Sequence, residues 1–347
     1  MSGYYKIAVL LGDGIGPEVT AEAIKVLKSI GIDFKFTFGD VGSRAYNETG
    51  TPIPDETKKI CEGADAVLLG AIGHSYAPYS IPELVTRYLR IERKAFANLC
   101  HLKLYPRIFP RDVQKSKADI DVVVIKSNME GFVLQHEGDL WGDEGRDVRT
   151  ITRGGAERVA RFACDFTVRK GRKKITCIDA HNFLYGDKLF RSTFSDVVEE
   201  FPGIKEEYLS VNVASMMLAM NPLDFDVILT HGLFGDILAW HIIGQIGGIG
   251  MAPQASIGDK FAVFQPVGGA AWQIAGKGIA NPFGAILAGK LLLEWLDEEK
   301  GAKLVDSAVK EVIEEGRILT PDLGGNNRTS EVGDAITEKI RARSGYL

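Results

Sequence analysis

Two stretches of this sequence hold residue types that could do chemistry. The first is Leu229-Thr230-His231-Gly232-Leu233-Phe234-Gly235-Asp236-Ile237-Leu238-Ala239-Trp240-His241. One carboxylate, Asp236, lies between two imidazoles, and Trp240, four residues on, shares its helical face. A carboxylate is a hard ligand for Mg²⁺ or Mn²⁺. Imidazoles suit a softer metal such as Zn²⁺, or proton transfer near neutral pH. Asp236 beside Gly235 could instead cap a helix. The second stretch is Gly12-Asp13-Gly14-Ile15-Gly16-Pro17-Glu18-Val19. Its glycines allow a sharp turn and close approach of a ligand. Its spacing is not GxGxxG, so a dinucleotide loop is weakly indicated.

The elements that must position these groups follow from apolar runs. Phe225 to Leu229 reads as a buried strand, followed by an apolar helix from Asp236 to Gly250. Ile7 to Leu11 is a strand running into the glycine turn, and a helix continues to about Ile30. Pro17 suits that helix's first turn, where no N–H need be donated. Further strands are expected at Phe34–Phe38, Ala66–Leu69, Asp121–Ile125 and Ile175–Ile178. A helix leads from Pro82 to Arg90, and Val159, Phe162, Ala163 and Phe166 give helical spacing over Arg158–Lys170.

Bulk properties narrow the function classes. The chain has 347 residues, enough for one two-lobed unit or two domains. Hydrophobic residues make up 45% and charged residues 25%, as in an ordinary globular protein. A net charge of -5 gives no reason to expect nucleic-acid binding. No apolar run reaches the roughly 18 residues of a membrane span, and Met1–Lys6 lacks the order of a signal peptide. A cytoplasmic protein is expected. Cys61, Cys100, Cys164 and Cys177 are scattered without a CxxC, which fits a reducing compartment and argues against a zinc ribbon.

Collinear motifs run through the whole chain: GDGIGPEV at Gly12, Gly70-Ala71-Ile72-Gly73-His74, the helix to Arg90 followed by Phe96-Ala97-Asn98-Leu99-Cys100-His101, and Lys126-Ser127-Asn128-Met129-Glu130-Gly131-Phe132-Val133. Then come Asp179-Ala180-His181-Asn182-Phe183-Leu184, Val211-Asn212-Val213-Ala214-Ser215-Met216, the Asp236 stretch, and Phe264-Gln265-Pro266-Val267-Gly268-Gly269-Ala270-Ala271-Trp272-Gln273-Ile274-Ala275-Gly276-Lys277-Gly278-Ile279-Ala280-Asn281-Pro282. Thr320–Gly325 and Gly333–Ile336 complete the set. Together they resemble the β-decarboxylating dehydrogenases, the isopropylmalate and isocitrate dehydrogenase family.

The resemblance implies an α/β fold with two lobes and a large mixed sheet. One lobe is discontinuous, 1–95 plus 250–347, on the cofactor side; the other, 96–249, carries substrate and dimer contacts. It implies a homodimer, NAD or NADP, and Mg²⁺ or Mn²⁺. It implies substrate contacts from Arg90, Lys126 and Asn128, cofactor contacts from Gly269, Gln273, Lys277 and Asn281, and a metal ligand in Asp236. His231 and His241 are further candidate ligands, with Zn²⁺ as the alternative metal.

Several positions depart from the family pattern. Val133 stands where the catalytic Tyr is usual and Ala180 where the catalytic Lys is usual; His181, Tyr185 and Lys188 are possible surrogates. Asn212 and Trp240 replace two of the three metal carboxylates, Cys100 replaces a substrate Arg, and Gly268 and Gln273 replace the His and Asp that contact adenosine. All six histidines lie in or beside segments that line the family's cleft. The expectation is a remodelled cleft that binds a small, anionic, hydroxy-acid-like metabolite, with altered redox chemistry as one outcome. The alternative is a non-catalytic ligand-binding or regulatory subunit.

Overall fold

The computed structural model describes residues 3–73, 80–108, 120–131 and 137–344. The strands are β1 (Tyr5–Leu10), β2 (Phe34–Gly39), β3 (Ala66–Leu69), β4 (Ala97–Lys103), β5 (Asp121–Ser127), β6 (Glu137–Trp141), β7 (Glu144–Val148), β8 (Lys174–Asp179), β9 (Lys205–Ser210), β10 (Val227–Thr230), β11 (Pro253–Ile257) and β12 (Ala262–Pro266). The helices are α1 (Gly16–Lys28), α2 (Ser43–Thr49), α3 (Asp55–Glu62), α4 (Ser80–Arg87), α5 (Arg153–Arg169), α6 (Tyr185–Val198), α7 (Val211–Met220), α8 (Gly232–Ile243), α9 (Phe283–Trp295), α10 (Glu299–Glu315) and α11 (Thr329–Ser344).

The fold is α/β around one mixed sheet of ten strands, ordered β2-β1-β3-β12-β11-β4-β5-β10-β8-β9, and β6 and β7 form a separate hairpin. The outer pairs are parallel, while β12, β11, β4 and β5 pair antiparallel at the centre. Val122 to Ile125 on β5 are fully buried, as expected for an unbroken apolar run covered on both faces. α9 is buried from Phe283 to Leu293 and packs against α1, α10, β11 and β12. All four cysteines are buried and free.

Three expected boundaries are corrected. The strand expected at Phe225 begins at Val227, because Pro222–Asp224 first forms a 3₁₀ turn. α8 starts earlier than expected and ends at Ile243, not Gly250; Gly247 and Gly248 take φ of 107° and 94°, which a helix cannot continue through. The helix expected to stop at Arg90 runs on through a π-helical turn, Tyr88–Glu92.

Candidate functional site

The register of the central strands gathers the first group of side chains. Lys126 on β5 stands opposite Asn98 on β4, with Thr230 of β10 on its other side. α8 begins just after β10, at Gly232, so its first turns cross the end of β5. Gly235 makes this crossing close: a Cβ there would meet Lys126 Cβ and Cδ at 2.8 Å. The lysine stem lies in that space, and its Nζ donates to Asp236 Oδ1 as an ion pair. Lys126 is 3% exposed and Asp236 37% exposed. Burial, with the Arg90 guanidinium adding to it, brings the Lys126 ammonium down to about 8. Contact with Asp236 favours the charged form, so the pair is ionic at neutral pH.

Arg90, in the π-helical turn, is within electrostatic reach of Lys126 and Cys100. Burial lowers its guanidinium to about 10, still charged at pH 7. Among the described residues no carboxylate contacts Arg90. Asn128 does not reach outward. Its Nδ2 donates to Ala95 O at 2.9 Å and its N–H to Phe96 O at 2.9 Å, so it ties the end of β5 to the entry of β4.

A second arrangement joins three glycine-bearing turns. Asp13 N–H donates to Ala71 O at 2.7 Å and Ile15 N–H to Ala270 O at 2.8 Å. Cβ atoms on Gly12, Gly14 and Gly16 would meet Ala71 O at 2.1 Å, Ala270 O at 1.9 Å and Leu11 O at 2.2 Å. At these three glycines the space a Cβ would need is filled by the chain's own carbonyls. Asp13 is buried, accepts from Ser43 N–H at 2.8 Å, and is raised from the usual carboxylate value by that burial.

The loop that follows presents Gly269, Gln273 and Lys277 at the surface. Asn281 is already engaged: Nδ2 donates to Asp322 Oδ2 at 2.8 Å, and Oδ1 accepts from Phe283 N–H at 2.9 Å at the start of α9. No Asp or Glu occurs between Gly268 and Asn281, and Trp272 lies 38% exposed beside Gln273.

A profile of the isocitrate/isopropylmalate dehydrogenase family matches residues 6–336. The chain is 38% identical over 336 residues to a 3-isopropylmalate dehydrogenase of Archaeoglobus fulgidus, covering 96% of this chain and 99% of that one. It is 37% identical over 350 residues to a homoisocitrate dehydrogenase of Methanocaldococcus jannaschii, covering 98% and 99%. The crystal structure of isocitrate dehydrogenase from Methylococcus capsulatus superposes with a TM-score of 0.90 at 33% identity, covering 97% and 99%. The chain belongs to the isocitrate/isopropylmalate dehydrogenase family.

Within that family frame, the remaining candidates separate into distinct places. His231 is 2% exposed at the foot of α8, wedged between Phe190 and Phe234. Its Nδ1 lies 3.3 Å from Arg149 Nη1, and Arg149 forms an ion pair with the fully buried Asp187. Burial and the neighbouring guanidinium push His231 down to about 3, so the ring is neutral. Asp187 also accepts from Ala180 N–H at 2.7 Å. This buried set was not foreseen. Arg149 and Asp187 lie far apart in sequence and match no motif, and only an acid buried in the first turn of α6 hints at it.

His181 Nδ1 lies 2.9 Å from Asp179 Oδ1, and Asp179 is also held by Arg191. His181 and Lys188 share an open recess of ≈380 Å³ with Arg191, Ser192, Ser195 and Tyr208. Tyr185 is 85% exposed, and Lys188 Nζ sits 4.7 Å from its ring centroid. His241 is half-buried in the last turn of α8. His101 is on β4, bonded to Asp121 at 2.9 Å and near Lys290 and Arg172. His74, Val133 and His136 lie outside the described residues.

These placements test the fit of a divalent metal. Among the described residues no group of three or more His, Cys, Asp or Glu side chains could hold one. Asp236 is bound to Lys126, Asn212 and Trp240 are exposed, and His231 is committed to Arg149 and the Phe190 and Phe234 rings. The described residues of one chain do not fit the metal. Among the described histidines, His101, His181 and His231 each face a different acid. Asp236 does not act as a helix cap. It lies in the body of α8, whose capping position is His231.

Proposed function

We propose that this chain is a dehydrogenase-family protein whose cleft binds a small hydroxy-acid-like anion, and that metal-dependent oxidative decarboxylation is not its activity. The observation that supports this reading is Arg90: a cation largely withdrawn from water, with no carboxylate on it among the described residues, beside a second cation, Lys126. A desolvated guanidinium without an anion is unfavourable, and a bound carboxylate relieves it. Ala180 supplies no proton where the family pattern has Lys, and the same holds for Val133 where it has Tyr. Dinucleotide binding is weak in this reading, because Gln273 cannot make the charged, bidentate ribose contact of an acid and Asn281 is engaged by Asp322 and Phe283.

Calorimetry with malate tests the proposal. Wild-type protein binds, more weakly as salt is raised, and Arg90→Ala loses about 2–3 kcal/mol, the order of a charge-assisted contact. Equal affinities for the two proteins would place the anion elsewhere. A dissociation constant for NAD at or below about 10 μM, roughly −7 kcal/mol, would refute the weak dinucleotide site.

The proposal includes a homodimer with lobes 1–95 plus 250–347 and 96–249. α7 and α8 expose Met216 (55%), Met220 (70%), Ile237 (54%) and Trp240 (50%). An apolar surface of that extent on adjacent helices needs cover, and a two-fold partner supplies the same face in return. Sedimentation should return twice the 37.9 kDa chain mass; a monomer mass at micromolar concentration would reject it.

A further inference from the structure

We infer that Lys126 is the cleft's resident cation: its ammonium occupies Asp236 in place of a divalent metal, so that anion binding is independent of metal and the metal is refused. The inference rests on the small-anion reading above and adds how the charge of Asp236 is balanced.

Three observations carry it. The ammonium is on the carboxylate itself, since Nζ donates to Asp236 Oδ1. The route is built into the backbone, because the lysine stem occupies the space that any side chain at 235 would fill. Lys126 is 3% exposed, so its ammonium is held inside the protein and not in solvent. The neighbourhood agrees. A hard dication takes six or more oxygens, several of them charged. Here the acidic partners a dication needs are lacking: Asn212 and Trp240 stand at two of the positions, and no acidic group is assembled among the described residues. One ammonium balances one carboxylate, which fits a site holding Asp236 alone.

The charge balance has a consequence for the ligand. An uncompensated Asp236, 37% exposed, would repel an incoming carboxylate. With Lys126 on it, the pair is neutral, and Arg90 remains as net positive charge beside it. Lys126 need not touch the ligand; it is a positioning and charge-balancing residue.

The test uses the intact protein, malate by calorimetry in EDTA or in millimolar Mn²⁺, and Mn²⁺ alone by the loss of the free-ion electron paramagnetic resonance signal. Wild-type protein is expected to bind malate with an affinity that Mn²⁺ changes less than twofold, and to bind no Mn²⁺ on its own. Lys126→Met should lose at least tenfold in malate affinity in EDTA, acquire Mn²⁺ binding at the freed Asp236, and recover part of the malate affinity when Mn²⁺ is present. A tenfold or greater gain of wild-type malate affinity with Mn²⁺ overturns the inference. So does Mn²⁺ binding by wild type that Asp236→Asn abolishes, or the absence of Mn²⁺ binding from wild type and Lys126→Met alike. Malate failing to bind under every condition removes the small-anion reading; the Mn²⁺ measurements then decide the inference by themselves. If Lys126→Met does not fold, Lys126→Arg keeps the charge and must remain indifferent to Mn²⁺; Mn²⁺ binding by that variant overturns the inference.

Discussion

The glycine junction and the charged centre obey different constraints. At the junction, Gly12, Gly14 and Gly16 face carbonyl oxygens of Ala71, Ala270 and Leu11 at distances that admit no Cβ. These contacts are backbone to backbone and hold whatever reaction the cleft performs. Among the charged groups, which lie in separate places, the ion pairs are made by side chains: Lys126 to Asp236, Arg149 to Asp187, His181 to Asp179. A substitution there can replace one polar partner by another without moving the chain. The contrast separates what the frame requires from what side-chain chemistry can vary.

The largest expected effect lies at the charged centre. Each missing general acid or base typically costs about 10²–10⁴ in rate, and two such positions hold Val133 and Ala180. With 3-isopropylmalate or isocitrate, NAD(P)⁺ and Mn²⁺, turnover should stay far below about 1 s⁻¹, the lower end of ordinary enzymes. A steady-state assay that finds enzyme-like turnover would erase the distinction between the two regions.

The next effect lies at the junction. Gly14→Ala places a methyl 1.9 Å from Ala270 O at φ +54°, so strain and clash add. The expected loss is about 3 kcal/mol or more in urea unfolding at fixed protein concentration. Gly269→Ala, one residue before Ala270, meets only Ile72 O at 3.8 Å and should change stability by about 0.5 kcal/mol or less. Equal effects from the two substitutions would mean that the junction relaxes and does not constrain the fold.

The fold was legible in the sequence because its signals are local. An apolar run buried on both faces gives β5; Pro17 after a glycine turn gives the start of α1. The site was legible only as a set of positions. That Lys126 and Asp236 are partners depends on Gly235, whose role appears only when α8 is laid across β5. Arg149 and Asp187 were missed because ion pairs distant in sequence leave no periodic trace. Sharing a set of motifs does not make side chains converge, and His101 sits in a network with Asp121, Lys290 and Arg172. The end of α8 was misjudged because apolar residues continue past Ile243, although the glycines there stop the helix.

The smallest expected effect is the pH response of anion binding, and its sign separates the two kinds of side-chain site. From the sequence alone, a histidine such as His231 should add positive charge below about 6.5, the ordinary His value, and strengthen binding on acidification. The structure corrects this for His231, whose ring stays neutral down to about 3 because it is buried beside Arg149. His181 is held by Asp179 in a recess lined by Arg191 and Tyr208, apart from the residues around Lys126. The cations that set the charge at the anion's place are Arg90, lowered to about 10, and Lys126 on Asp236, lowered to about 8. Both are protonated at every pH from 5 to 7. An anion favours the protonated forms, so affinity is full below about 8 and falls as Lys126 loses its proton above that. Sulfate is a suitable probe, since its own charge is constant over this range. Its affinity should vary less than about twofold, roughly 0.4 kcal/mol, between pH 5 and 7 and decline from pH 8 to 9. Binding that rises severalfold as pH drops from 7 to 5 would return the histidines to the site and reject the assignment of its charge to Arg90 and Lys126.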